Sequence, residues 1–157
     1  WAMLIPKQLC ESTLFPKGRL YEDNFVIYKY FWNAHRIVYI SNPLYYYRNN
    51  PNGIMNRSFT FQMLDEVDGI DEIIDFLSIN SSDLLKAAKS RKYSAHCRVI
   101  RHMPLENNNS KMHKIGMDLW AFLKNYRWEM MFDFKARLKN RIAAACTIMG
   151  YKIFRFV

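Results

Sequence analysis

Apolar and polar positions change period several times along the 157-residue chain, and each change marks an element. Residues 1–20 keep no period and are punctuated by Pro6, Pro16 and Gly18, the composition of irregular chain. From Glu22 to about Ala34, Phe25, Tyr28, Phe31 and Trp32 recur at helical spacing. That stretch is apolar nearly all round, which predicts a buried helix. Residues 36–40 and 44–48 are rich in β-branched and aromatic types and flank Ser41-Asn42-Pro43, so they predict two short strands. Residues 49–53 have loop composition.

The 3.6-residue period then returns. Near 61–78, Met63, Val67, Ile70, Ile74 and Leu77 form one apolar stripe, with Asp65, Asp68, Glu72 and Asp75 opposite. The simplest reading of those acids is a solvated face; docking against the basic second half is the other. Thr60 stands at the N-cap of this helix. A second helix starts at Ser81-Ser82-Asp83 and stops before Pro104. After a loop at 106–109, Ser110 caps a long helix with Ile115, Leu119, Phe122 and Tyr126 on one face. From Phe134 onward, Lys135, Arg137, Lys139 and Arg141 interleave with Phe134, Leu138, Ile142, Cys146 and Met149. That pattern predicts a basic amphipathic helix able to lie in a membrane interface through 134–156. The fold class expected is α+β, mainly helical: a helix and two short strands, then a helical tail.

Composition sharpens this picture. Half of the residues are hydrophobic, enough for one domain with a core, and no apolar run reaches the length of a membrane span. Charge is uneven. Residues 1–80 carry 7 Lys/Arg and 9 Asp/Glu, residues 81–157 carry 16 and 5, so a net −2 precedes a net +11 in a chain of +9 overall. A basic half calls for an anionic partner: a membrane surface, nucleic acid or a phosphate-bearing substrate. Cys10, Cys97 and Cys146 are odd in number and widely spaced, which fits a reducing, cytoplasmic setting and no zinc half-site. The scattered His35, His96, His102 and His113 predict no metal site built from this chain alone. The start at Trp1 and two strands too few to stand alone predict a piece of a longer protein.

The chemistry-bearing block is Arg19-Leu20-Tyr21-Glu22-Asp23-Asn24-Phe25. Two adjacent carboxylates after the Phe15-Pro16-Lys17-Gly18 turn would open a helix, where the macrodipole favours their charged form and one can act as a base. Around it stand Trp1-Ala2-Met3-Leu4, then Pro43-Leu44-Tyr45-Tyr46-Tyr47-Arg48, then Gly53-Ile54-Met55. In this order, and at these gaps, the blocks resemble the C-terminal half of the catalytic domain of bacterial family 2 glycosyltransferases, of GT-A fold. The resemblance covers about the first half of the chain. It implies a GT-A-like part over 1–58 and a helical extension over 59–157.

The resemblance also implies an inverting sugar transfer from a nucleotide-sugar donor to a saccharide or lipid-linked acceptor, on the inner face of the cell membrane. Asp23 would be the base and Glu22 would orient it or touch the acceptor. Trp1, Tyr47 and Arg48 would bind substrate, Arg48 through a diphosphate and Trp1 as a platform for a sugar ring. Ala2 and Met3 replace a polar Asn-Lys pair of the family, Lys17 stands where an acid is usual, and Gly53 where Ser is frequent. No Asp-x-Asp motif occurs, so Mg or Mn binding and tight donor binding are expected from sequence preceding this block, and no turnover from this chain alone. Unpaired strand edges and apolar surface predict a homo-oligomer. The competing reading is a basic helical module that binds nucleic acid or protein without catalysis. Against nucleic acid, no helix-turn-helix, zinc-finger or RNA-recognition signature is present.

Overall fold

Helices and 3₁₀ turns are the regular elements of the structure, a computed structural model that describes residues 3–51, 53, 58–104 and 109–155. In chain order they are α1 (Lys7–Ser12), a 3₁₀ turn (Glu22–Phe25), α2 (Ile27–Asn33), a 3₁₀ turn (Phe61–Leu64) running into α3 (Asp65–Asn80), and a 3₁₀ turn (Ser82–Leu84) running into α4 (Leu85–His102). Then follow α5 (Ser110–Phe132), α6 (Leu138–Cys146), a 3₁₀ turn (Thr147–Met149) and α7 (Tyr151–Phe154).

The core lies where the predicted stripes meet. Val67 and Ile70 of α3, Tyr93, Val99 and Ile100 of α4, and Leu119 and Leu123 of α5 are buried together. Ala144 of α6 and Phe154 of α7 close it. Ile70, Ile100 and Leu123 are fully enclosed, so truncation of any one to Ala costs about 2–5 kcal/mol. α6 is tied to α4 by a buried amide. Asn140 donates to the Ser90 carbonyl (2.8 Å) and to Ser90 Oγ (3.0 Å), and its Oδ1 accepts from Ser94 Oγ (2.7 Å).

The α+β expectation is overturned: among the described residues there is no strand, so the GT-A-like unit of a helix and two strands is absent. Residues 36–40 and 44–48 are irregular and exposed. β-branched and aromatic composition favours a pleated surface, but a strand persists only with a paired neighbour, and these two segments do not pair.

Three smaller differences follow from local chemistry. The helix expected over 22–34 is broken at Val26 into a four-residue 3₁₀ turn and α2, and Phe31 and Trp32 face outward. Asn109, one residue before Ser110, caps α5, its Oδ1 accepting from the amides of Lys111 (3.0 Å) and Met112 (3.3 Å). The C-terminal amphipathic stretch is not one helix: Gly150, at φ +93°, separates α6 and its 3₁₀ turn from α7. Ile54, Met55 and Phe156 lie outside the described residues.

Candidate functional site

The segment that carries the acid pair is fastened to α3 by charge. Arg19 donates to Asp65 (2.6 Å) and Asp68 (3.0 Å), and the Leu20 amide donates to the second oxygen of Asp65 (2.9 Å). Further on, Tyr28 and Lys29 both donate to Glu72 Oε1, at 2.8 and 2.5 Å. Asp71 pairs with Lys92 of α4. Asp65, Asp68, Asp71 and Glu72 are therefore anchors, while Asp75 stays on the solvated face. Asp65, Glu66 and Asp68 also sit in the first turn of α3, where its dipole favours negative charge.

Between these anchors the backbone turns sharply. Gly18 takes φ +77°, and Tyr21 takes φ 54°, ψ 38°, the left-handed region that a non-glycine residue occupies at a cost of about 1–2 kcal/mol. The turn is closed by the Asn24 amide on the Tyr21 carbonyl (3.0 Å) and the Val26 amide on the Asp23 carbonyl (3.2 Å). It sends Glu22 and Asp23 outward and Asn24 and Val26 inward. Asn24 Oδ1 accepts from Arg91 of α4 at 2.7 Å. Gly69 of α3 gives this turn room, since a Cβ there would stand 2.8 Å from Asn24 Cβ.

An open cleft of about 970 Å³ lies beside the turn. Glu22, Asp23, Tyr47 and Arg48 line it, together with Tyr21, Glu66, Arg91 and Arg98. Of the residues expected at a site, these first four are brought together although 25 positions separate the two pairs; Trp1 lies outside the described residues. The acid pair does not open an α-helix. It sits in a four-residue 3₁₀ turn, whose dipole is too short to hold a charge strongly.

Glu66, Arg91 and Arg98 are the residues that pattern reasoning missed. Glu66 is only 3% exposed, with Oε1 accepting from Arg98 at 2.6 Å and Oε2 buried without a hydrogen-bond partner. Burial pushes its carboxyl above the ordinary range, Arg98 and Arg91 pull it back, and the charge of Asp23 adds to the rise. The same burial raises the Tyr21 hydroxyl, with the Glu66 charge adding and Arg98 opposing. A signal for Glu66 was present: at three residues from Met63 and four from Ile70 it falls inside the apolar stripe of α3. Arg91 and Arg98, seven apart, share one face of α4.

The walls thus carry three carboxylates and three guanidiniums. Outward Asp23 and Glu22 can accept a proton, and Arg48 and Arg91 can bind a phosphate oxygen pair. Buried Glu66 holds Arg98 in place rather than meeting a substrate. Among the described residues no group of three or more His, Cys, Asp or Glu side chains converges to hold a metal ion. No protein-family profile, curated protein or solved structure matches the chain.

Proposed function

We propose that the cleft serves glycosyl transfer from a nucleotide-sugar donor to a saccharide or lipid-linked acceptor. The observation that carries this reading is the convergence of Glu22-Asp23 and Tyr47-Arg48 on one cleft. Those are the residues to which the family resemblance assigns acceptor and donor-phosphate contacts.

Asp23 takes the proton from the attacking acceptor hydroxyl. The oxygen then forms its bond to the anomeric carbon from the face opposite the leaving group, and the nucleoside diphosphate departs with the bonding pair. Arg48 and Arg91 receive the negative charge that grows on that diphosphate. Glu66, by fixing Arg98 beside Tyr21, keeps the turn that aims Asp23.

The test is sugar transfer by the natural polypeptide that carries this sequence, assayed over a panel of radiolabelled nucleotide sugars. Asp23→Asn is expected to lower kcat by about 10²–10⁴-fold, with donor affinity little changed, and Glu22→Gln by less. Undiminished transfer by Asp23→Asn would remove Asp23 from the role of base. Turnover from residues 1–157 alone would overturn the assignment of the donor site to other sequence.

A further inference from the structure

α6 is built inside out. The face it buries carries Asn140 and Ala144, a polar and a small residue, followed by Thr147 in the next turn. Its large apolar side chains, Leu138 and Ile142, lie about 160° round the helix from that face, at 100° per residue. Both are exposed, and Met149 in the following turn is exposed as well. A helix in water with apolar residues on its outer side is ordinarily covered by something.

The exposed apolar surface extends to the corner between α5 and α6. Phe132 stacks on Trp128, ring centroids 6.3 Å apart and planes 12° from parallel, and Phe134 follows in the connection. Trp128, Phe132, Phe134, Leu138, Ile142 and Met149 are each 51–81% exposed. Arg141 joins the two parts, its guanidinium 4.6 Å from the Phe134 ring centroid and its Nε donating to the Met131 carbonyl (3.2 Å). Of the apolar residues of α7, Ile153 is also exposed, and the chain turns at Gly150. Beyond it Tyr151 and Phe154 turn inward onto Trp120, at 5.4 and 5.3 Å between centroids.

Charge narrows the choice of cover. Residues 134–157 contain six Lys/Arg and no Asp/Glu; Lys135, Arg137 and Lys139 are exposed, Arg137 toward the Asn140 side of α6 and Lys139 nearer to Leu138 and Ile142. A second copy packed face to face would set these cations against each other. Of the acids of α3 that might meet them in another arrangement, Asp65 and Asp68 are engaged with Arg19, Glu66 with Arg98, Asp71 with Lys92 and Glu72 with Lys29, which leaves the exposed Asp75. A nucleic acid would satisfy the cations and stack on Trp128, but it offers nothing to Leu138, Ile142 and Met149, which call for a dry phase.

From this geometry we infer that the outer face of α6, with the Trp128–Phe134 corner, docks on an anionic lipid surface. Leu138, Ile142, Met149 and the aromatic rings enter the boundary between headgroups and acyl chains, and Lys139, with Lys135 in the connection before α6, contacts the headgroups. Among the described residues no helix is long and apolar enough to cross a membrane, so the contact is peripheral. The inference does not rest on sugar transfer: vesicle binding without transferase activity would leave it standing.

The experiment is co-sedimentation of the whole chain with vesicles of phosphatidylcholine, with and without phosphatidylglycerol. Binding is expected only with phosphatidylglycerol, and it weakens with added salt. Lys135→Gln with Lys139→Gln should lower the partition coefficient by about 25-fold, fivefold for each cation. Ile142→Asp should lower it by roughly tenfold or more. Each of these positions is exposed, and unchanged circular dichroism would verify that the variants stay folded. Three outcomes overturn the inference. The first is no binding to the anionic vesicles. The second is binding that falls with the lysine changes but ignores Ile142→Asp. The third is a lipid-independent dimer, seen by sedimentation velocity and abolished by Ile142→Asp, which would hand the face to a second copy.

Discussion

Gly69→Ala tests whether close packing on α3 holds the acid-bearing turn. In the interior of an exposed helix this change normally stabilises by about 1 kcal/mol, because Ala is the better helix former. Here the new Cβ would lie 2.8 Å from Asn24 Cβ and 3.1 and 3.3 Å from two ring carbons of Phe25. Carbon atoms rest at about 3.5–4.0 Å, so the turn has to retreat by roughly 0.7 Å or more. It is not free to do so. Arg19 and Leu20 bind it to Asp65 on one side, and Lys29 and Tyr28 bind it to Glu72 on the other. Overpacking against restrained neighbours costs about 1–3 kcal/mol. Set against the gain in helix propensity, the expected result is a net loss of about 1 kcal/mol. Urea unfolding would read this as a lower midpoint at unchanged slope. Faster amide exchange at Asn24 and Val26, whose N–H groups close the turn, should accompany it. A variant stabilised by the ordinary 1 kcal/mol, with those amides as protected as before, would refute the reasoning.

Two further expectations concern the helical body. His96 is 4% exposed, with Nδ1 2.9 Å from the Lys92 carbonyl and its ring against Phe122, and burial lowers its pKa to about 4. The folded state prefers the neutral ring, so the contribution is full above the unfolded pKa of about 6.5 and is lost as pH falls toward 4, a change of about 3 kcal/mol. His96→Leu should flatten that part of the stability–pH curve in denaturant titrations; an unchanged slope would exclude His96 as the cause. Asn140→Ala should cost about 2–3 kcal/mol by leaving Ser94 Oγ and the Ser90 carbonyl without their partner. An unfolding midpoint within about 0.5 kcal/mol of the parent would show that water replaces the amide easily.

What could be read from the chain was what depends on near neighbours. The stripes Met63–Leu77 and Ile115–Tyr126 identified α3 and α5, because a helix makes its hydrogen bonds within itself and shows its period in a short window. Residues 36–48 misled, since valine, isoleucine and tyrosine report a preference whose fulfilment lies on another strand. The acids of α3 were located correctly on one face, but their partners Arg19 and Lys29 lie more than 40 residues away and leave no local trace. The site was half legible. Glu22, Asp23, Tyr47 and Arg48 announced themselves as motif blocks, whereas Arg91 and Arg98 became part of the cleft only when α4 crossed beneath the turn.

α4 also has a mechanical meaning. Arg91 reaches the acid-bearing turn through Asn24, and Ser90 and Ser94, within one helical turn of it, hold Asn140 of α6. The helix is thus a strut with the cleft on one side and the outward-facing helix on the other. Beside the apolar packing of α6 on α5, the buried Asn140 amide and the Arg91 guanidinium form a polar link from α6 through α4 to Asn24. A shift of α6 would therefore be felt at the turn that carries Glu22 and Asp23.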